Sequence, residues 1–304
     1  MNTKTLSFLL IILLTLTNTQ AAHFSINGLN YKTINSNTVV VVKSCVTILE
    51  LPETILLDNK IYNVVGIEEG AFANCSALQE VRITEGIQYI DSYAFENCTN
   101  LTKVQLPESI QTIGTAAFYD CSALLDINLP KKLHLIKPYL FYGCSSLSSI
   151  TLPNSLLELQ NNAFSGCLQL KHLLLPATLK RIGKGVFLFC KNIEEVVIPE
   201  AVLSIGSTAF YNCSNLNKIH VPFNTKHIGN HAFSQCINLK EISSAIVSTS
   251  IINPQVFHGV NFKNIVLKAP NQYLLPKEIS LLQQFKNVYF HDASFENSLT
   301  TSCQ

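Results

Sequence analysis

Eight cysteines, Cys75, Cys98, Cys121, Cys144, Cys167, Cys190, Cys213 and Cys236, stand 23 residues apart with no insertion or deletion between the first and the last. A fixed period of about 20–50 residues marks an array in which one unit is stacked on copies of itself, so this spacing decides the architecture before any element is assigned. Other rows keep the same step. Phe72, Phe95, Phe118, Phe141, Phe164, Phe187, Phe210 and Phe233 precede the cysteines by three, and a leucine, or Ile193 in one copy, follows each by three. The unit reads I-x-x-I-x-x-x-A-F-x-x-C-x-x-L-x-x-V-x-L-P, as from Ile87 to Pro107.

The end of the unit, Leu101-x-x-Val104-x-Leu106, matches the L-x-x-L-x-L core of a leucine-rich repeat, whose strand lines the inner wall of a curved solenoid. The expected fold is a right-handed, curved leucine-rich-repeat solenoid, β-rich with α/β character, of about eight to nine 23-residue repeats between N- and C-terminal caps. The string resembles the BspA-like, or Treponema-type, leucine-rich-repeat family, in which the A-F-x-x-C turn and the L-P strand end recur in such units. The resemblance runs from Val64 to Lys268. Members occur on the surfaces of bacteria and parasitic protozoa in association with adhesion, so the resemblance implies an extracellular contact protein.

Residues 1–22 carry one basic residue, Lys4, an apolar run from Leu6 to Leu16 and a small-residue end, the three regions of a secretory signal peptide. The run is too short for a spanning helix, which needs roughly 20 apolar residues. The polar end from Ser294 to Gln304 lacks the hydrophobic tail of a lipid-anchor signal. A secreted, extracellular or surface-associated product without a transmembrane segment is therefore expected. Its net charge of +1 gives little pull on nucleic acid.

Residues 23–63 read as an N-terminal cap, with short strands around Asn27-Gly28 and at 38–42, then a half-repeat at 48–55. Residues 64–268 form the array, the last unit decayed: Phe257 survives, Val260 takes the cysteine place, and Phe262, Ile265 and Leu267 continue the ladder. Residues 269–304 are the C-terminal cap and tail, with a helix at 278–285 and a last strand.

Side chains alternate along a strand, so Val104 and Leu106 should point inward and Lys103, Gln105 and Pro107 toward the concave side. Function should be written on that side, since solenoids present it to partners. One row reads Glu80, Lys103, Asp126, Ser149, His172, Glu195, Lys218, Glu241, its ends alternating in sign. The next reads Arg82, Gln105, Asn128, Thr151, Leu174, Val197, His220, Ser243, with two apolar neighbours in a polar wall. Exposed apolar neighbours with a polar rim suggest a contact site. The candidate partner-binding residues are His172, Leu174, Glu195, Val197, Lys218 and His220. A second patch follows the phenylalanine row: Tyr119, Tyr142, Leu188 and Tyr211, interrupted by Ser165.

The ladder cysteines read as free thiols packed as small apolar side chains. A row of equivalents offers no member a unique disulfide partner, and zinc sites want paired ligands such as C-x2-C. Cys45 and Cys303 stand outside the row in opposite caps, too far apart for one bridge. Cys303 is either free or paired with another chain. Asn74, Asn97, Asn100 and Asn212 occupy N-x-S/T sequons, so a glycoprotein is expected in a eukaryotic host.

No G-x-S-x-G, H-E-x-x-H or phosphate-binding glycine loop occurs, and the scattered histidines read as surface residues. An enzyme is not expected, nor a cofactor or metal. The sequence points to a binding or adhesion module for an extracellular or host protein. The alternative is a self-associating coat or surface-antigen component using the tyrosines or Cys303.

Overall fold

The computed structural model describes residues 21–222, 224–244, 255–270, 283, 285 and 287–291. The core of the expected signal peptide, most of the helix expected at 278–285 and Cys303 lie outside the described residues.

The described residues open with β1 (His23–Ile26) and β2 (Leu29–Thr33), an antiparallel hairpin, and β3 (Thr38–Val41), antiparallel to β2. The hairpin turns at Asn27 and Gly28, whose φ angles of 51° and 79° are the positive pair a tight two-residue β-turn requires. Then come β4 (Ile48–Leu51), β5 (Thr54–Leu57) and β6 (Lys60–Ile67), the last two forming a second hairpin. The array continues through β7 (Glu80–Ile83), β8 (Tyr89–Ile90), β9 (Lys103–Gln105), β10 (Thr112–Ile113), β11 (Asp126–Ile127), β12 (Leu135–Ile136) and β13 (Glu158–Leu159). It ends with β14 (Arg181–Ile182), β15 (Glu195–Val197), β16 (Ser204–Ile205), β17 (Lys218–Val221), β18 (His227–Ile228), β19 (Glu241–Ser244), β20 (Val266–Pro270) and β21 (Asn287–His291).

These strands form two walls of parallel ladders. The first follows the cysteines and runs β4-β7-β9-β11, then β15-β17-β19-β20-β21. Between the two halves only an isolated bridge, Ser149 to His172, is paired. The second wall runs from β6 through β8 to β10, and again from β12 through β13, β14 and β16 to β18. Of the half-repeat at 48–55, residues 48–51 take their place as β4, parallel to β7, while 54–55 belong to β5, which turns back antiparallel to β6. The decayed unit supplies β20, and the last strand expected is β21.

The A-F-x-x-C turn makes a third wall by hydrogen bonds between repeats. Tyr93, Phe95 and Asn97 donate their N–H groups to the carbonyls of Thr115, Ala117 and Tyr119 at 3.0, 2.8 and 2.8 Å. To aim these groups the backbone turns left-handed twice per repeat. One such row is Gly70, Tyr93, Ala116, Tyr139, Asn162, Gly185, Thr208 and His231; the other, just before the cysteines, is Asn74, Asn97, Asp120, Gly143, Gly166, Phe189, Asn212 and Gln235. Asn, Asp and Gly recur there because they enter this region at least cost.

Between the walls the phenylalanine rings stack from Phe72 to Phe257 at centroid spacings of 5.1 to 5.8 Å. Each ladder thiol from Cys98 to Cys236 donates to the carbonyl of the phenylalanine 26 residues earlier, at 3.1–3.2 Å. The same carbonyl accepts the N–H of its own repeat's cysteine, as Phe72 does from Cys75 at 3.0 Å. The thiol thus joins two repeats by a hydrogen bond as well as by packing.

Two expectations are corrected. Cys75 is not a free ladder thiol: it forms a disulfide with Cys45, with Cα atoms 5.4 Å apart. As first of its row, Cys75 has no earlier phenylalanine carbonyl to bond, and the chain leading into β4 occupies that place and brings Cys45 beside it. Cys98 through Cys236 remain free and buried. Pro107 does not face outward with Lys103 and Gln105; it is buried, because β9 ends at Gln105 and the alternation ends with it.

The disulfide closes a loop of 30 residues, for which loop entropy gives about 3–4 kcal/mol. Cys45→Ser with Cys75→Ser should lower the urea midpoint of the cap accordingly. A midpoint that neither this change nor reductant moves would contradict the pairing.

Candidate functional site

The outward face of the first wall is set by strand alternation. In β15 Glu195 and Val197 are exposed and Val196 is buried, and in β9 Lys103 and Gln105 flank buried Val104 in the same way. Val197 is 57 % exposed and Leu174 84 %, whereas Leu173 is buried and Leu175 packs partly against the core. Leu174 lies beside the stretch where the ladder is reduced to the Ser149–His172 bridge, so the apolar pair sits at the break between two sheets, not within a continuous one.

Toward the C-terminal end this face carries a charge ladder. Lys218 Nζ lies 3.3 Å from Glu195 and 3.9 Å from Glu241, and Lys268 Nζ lies 2.9 Å from Glu241. Exposed pairs of this kind are worth about 0.2–1 kcal/mol each, so they order the rim more than they stabilise the fold. At the N-terminal end the rows stay in register but the ion pairs run differently. Glu80 pairs with Arg82 of its own strand at 2.7 Å, and Arg82 also reaches Glu50 at 2.7 Å. A guanidinium can bond two carboxylates at once. The hydrogen bonds Arg82 donates to Glu80 first, then to Glu50, push its pKa up.

The two histidines are not brought together. His172 is exposed and bridges to Ser149, while His220 in β17 has Nδ1 3.0 Å from Ser243 Oγ and Nε2 3.8 Å from Glu200. Among the described residues no group of three or more His, Cys, Asp or Glu could hold a metal.

The tyrosine row divides into two clusters. Tyr119 and Tyr142 stack at 4.7 Å with planes 7° apart, and Tyr139 tilts against Tyr142 at 6.0 Å. Leu188 is half-buried, and Tyr211 meets Phe189 edge-on at 5.8 Å. Ser165, between the clusters, is buried. Three exposed aromatics at this surface escaped the sequence reading: Tyr93, Tyr139 and Phe189. Their φ values of 59°, 57° and 63° are strained for bulky side chains. Aligning the repeats on the rows that hold Gly70 and Gly143 would have exposed these departures.

Of the sequon residues, Asn74 and Asn100 are exposed, and Asn97 and Asn212 are half-buried. Asn97 Nδ2 donates to Asn74 Oδ1 at 3.1 Å, and Asn100 Nδ2 to the Ser76 carbonyl at 2.8 Å. A glycan consumes one of the amide hydrogens, so neighbouring sites compete for space. Expression in a eukaryotic secretory host should add at least one glycan, and Asn97 and Asn100 should not both be filled. An intact mass equal to that of the bare peptide would sink this expectation.

No helix among the described residues is long and apolar enough to cross a membrane. A search of curated proteins finds no match to this chain. Among solved structures, a leucine-rich cell surface protein from Faecalibacterium prausnitzii A2-165 is 20% identical, with 93% of this chain and 98% of that one covered at a TM-score of 0.50. A leucine-rich repeat protein from Bacteroides ovatus ATCC 8483 is 20% identical over 89% of each chain at a TM-score of 0.49. The leucine-rich repeat protein of T. pallidum is 24% identical, with 72% of this chain and 91% of that one covered at 0.49. The model of the BspA-type leucine-rich repeat region matches residues 65–194 and 158–279 in 6 copies. With the 23-residue period, the stacked phenylalanines and the parallel ladders, this match shows that the chain belongs to the BspA-type leucine-rich-repeat family.

Proposed function

We propose that this protein is exported and acts outside the cell as a non-catalytic binding or adhesion module. It engages an extracellular or host protein through the outward face of its first wall. The observation that carries this reading is the exposed pair Leu174 and Val197, adjacent apolar residues in the middle of the wall, between Thr151 and His220 in their row, with the Glu195–Lys218–Glu241 ladder as rim. His172 and His220 lie at its margins. An apolar centre with a charged rim is the usual layout of a protein contact. The likeness to a cell surface protein adds only the shared fold.

The test is Leu174→Asp with Val197→Asp. The double variant should melt within about 0.5 kcal/mol of wild type, since both side chains already meet water, and should lose the host-surface proteins that wild type captures, because a charge facing a desolvated apolar contact has no compensation. Leu173→Asp is the control and should unfold the array. Unchanged capture by the stable double variant would discard the reading.

A second reading, self-association as a coat or surface-antigen component, is favoured by the strained, exposed aromatics Tyr93, Tyr139 and Phe189, of which Tyr139 joins the Tyr119–Tyr142 stack and Phe189 meets Tyr211. Size-exclusion chromatography with and without reductant separates contributions of Cys303 from those of the aromatics. A monomer under both conditions removes this reading.

A further inference from the structure

We propose that the N-terminal edge of the first wall is a second binding site, at which an extended peptide segment with apolar and basic side chains adds as a strand to β4. β4 pairs on one side with β7, in the register Leu49 to Val81 and Leu51 to Ile83, and Leu51 O accepts the Thr84 N–H at 3.1 Å. In a parallel ladder alternate residues bond to the same neighbour, so Leu49 and Leu51 serve β7. The N–H and C=O groups of Ile48 and Glu50 then point the other way. β4 ends its sheet on that side, and among the described residues neither Ile48 nor Glu50 has a main-chain partner there. Such an edge is a template for a further strand.

The space beside the edge fits a strand. A cleft of about 780 Å³ is lined by Ile48, Glu50 and Leu51 of β4 and by Ile26, Asn27, Leu29 and Tyr31 of the first hairpin. Its apolar lining includes Ile26, Leu29, Val46, Ile48, Pro52 and Ile55, and Ile48 is 50 % exposed. Apolar side chains of an incoming strand would be covered there.

Charge selects the polar part of the partner. Arg82, which also lines the cleft, is answered by two carboxylates, Glu50 and Glu80. Glu53 stands exposed next to the lining residue Pro52. With Arg82 bonded to Glu80 outside the cleft, Glu50 and Glu53 leave this rim negative, which favours lysine or arginine in the partner. The site goes beyond the contact at Leu174 and Val197, and it stands or falls separately.

The probe is an end-blocked, fluorescein-labelled hexapeptide of alternating valine and lysine, followed by polarisation against the mature chain. Two further versions are N-methylated on alternate residues, one set in each register. Strand addition requires one set of peptide N–H groups to meet β4 and the other to face water. One methylated peptide should therefore bind at least about tenfold more weakly and the other within about twofold of the parent. Glutamate in place of lysine should cost at least about tenfold. The Leu174→Asp/Val197→Asp variant should bind the peptide as wild type does, so failure of the one site leaves the other untouched. Equal loss from both methylated peptides, or no binding at about 1 mM, overturns the proposal. So does a concentration-dependent dimer that protects the Ile48 and Glu50 amides from hydrogen exchange without peptide, since the edge would then belong to a second copy.

Discussion

Raising the pH from 8 to 11 should unfold the array, in a transition much steeper than one titrating group can give. Cys98, Cys121, Cys144, Cys167, Cys190, Cys213 and Cys236 are buried, and burial pushes every one of these thiols up, Cys98 and Cys236 to about 12. In the unfolded chain a cysteine ionises near 8.5. Above that value the folded state holds more protons than the unfolded one, so stability falls as pH rises. It is fully present below about pH 8.5 and is lost on the way to the folded values. Each thiol contributes up to about 1.4 kcal/mol per pH unit in that window. Seven acting together give a slope of order 10 kcal/mol per unit, comparable with the whole stability of a domain. Tyr31 and Tyr89, also raised mainly by burial, add in the same direction. Urea unfolding at stepped pH checks this. Replacing Cys144, Cys167 and Cys190 by alanine should lower stability at pH 7 and flatten the slope by about 4 kcal/mol per unit. Native protein should resist thiol reagents at pH 8. A urea midpoint unchanged up to pH 11 would mean that the thiols reach water in the folded state.

Phe141→Ala should cost about 3–5 kcal/mol, the usual range for a buried aromatic truncated to alanine. The ring is fully buried, and it stacks on Phe118 at 5.8 Å and on Phe164 at 5.3 Å. A solenoid is held by coupling between neighbours, so a cavity in the middle weakens two interfaces and should divide one unfolding transition into two. Phe257→Ala, at the end of the stack, should loosen only the last turns. Hydrogen exchange resolves the two cases: loss of protection on both sides of residue 141 in the first, and beyond about residue 233 in the second. A cost under about 1 kcal/mol for Phe141→Ala would mean that the stack does not couple the repeats.

The phenylalanine row, the free thiols from Cys98 to Cys236 and the inward and outward alternation within the strands of the first wall were legible in the chain. The reason is translational symmetry. Position by position, Lys103 meets Asp126 and Phe95 meets Phe118, so a one-dimensional period is also a contact map. The Asn27-Gly28 hairpin and the half-repeat at β4 were legible for a local reason, turn chemistry and strand pattern.

What only the tertiary structure decided lies where that symmetry ends. Cys75 has no equivalent before it, and the path of the cap, not the period, brings Cys45 to it. Glu80 turns to Arg82 instead of Lys103 because β4 places Glu50 on the far side of the guanidinium. The ladder breaks around Ser149 and His172, leaving Leu174 beside the gap. The left-handed turn rows, with Tyr93, Tyr139 and Phe189 in places that glycine takes in other repeats, depend on which way each N–H must point to reach the next turn. Repetition in sequence specifies how each unit meets its copy, whereas ends and exceptions are settled by the course of the chain in three dimensions.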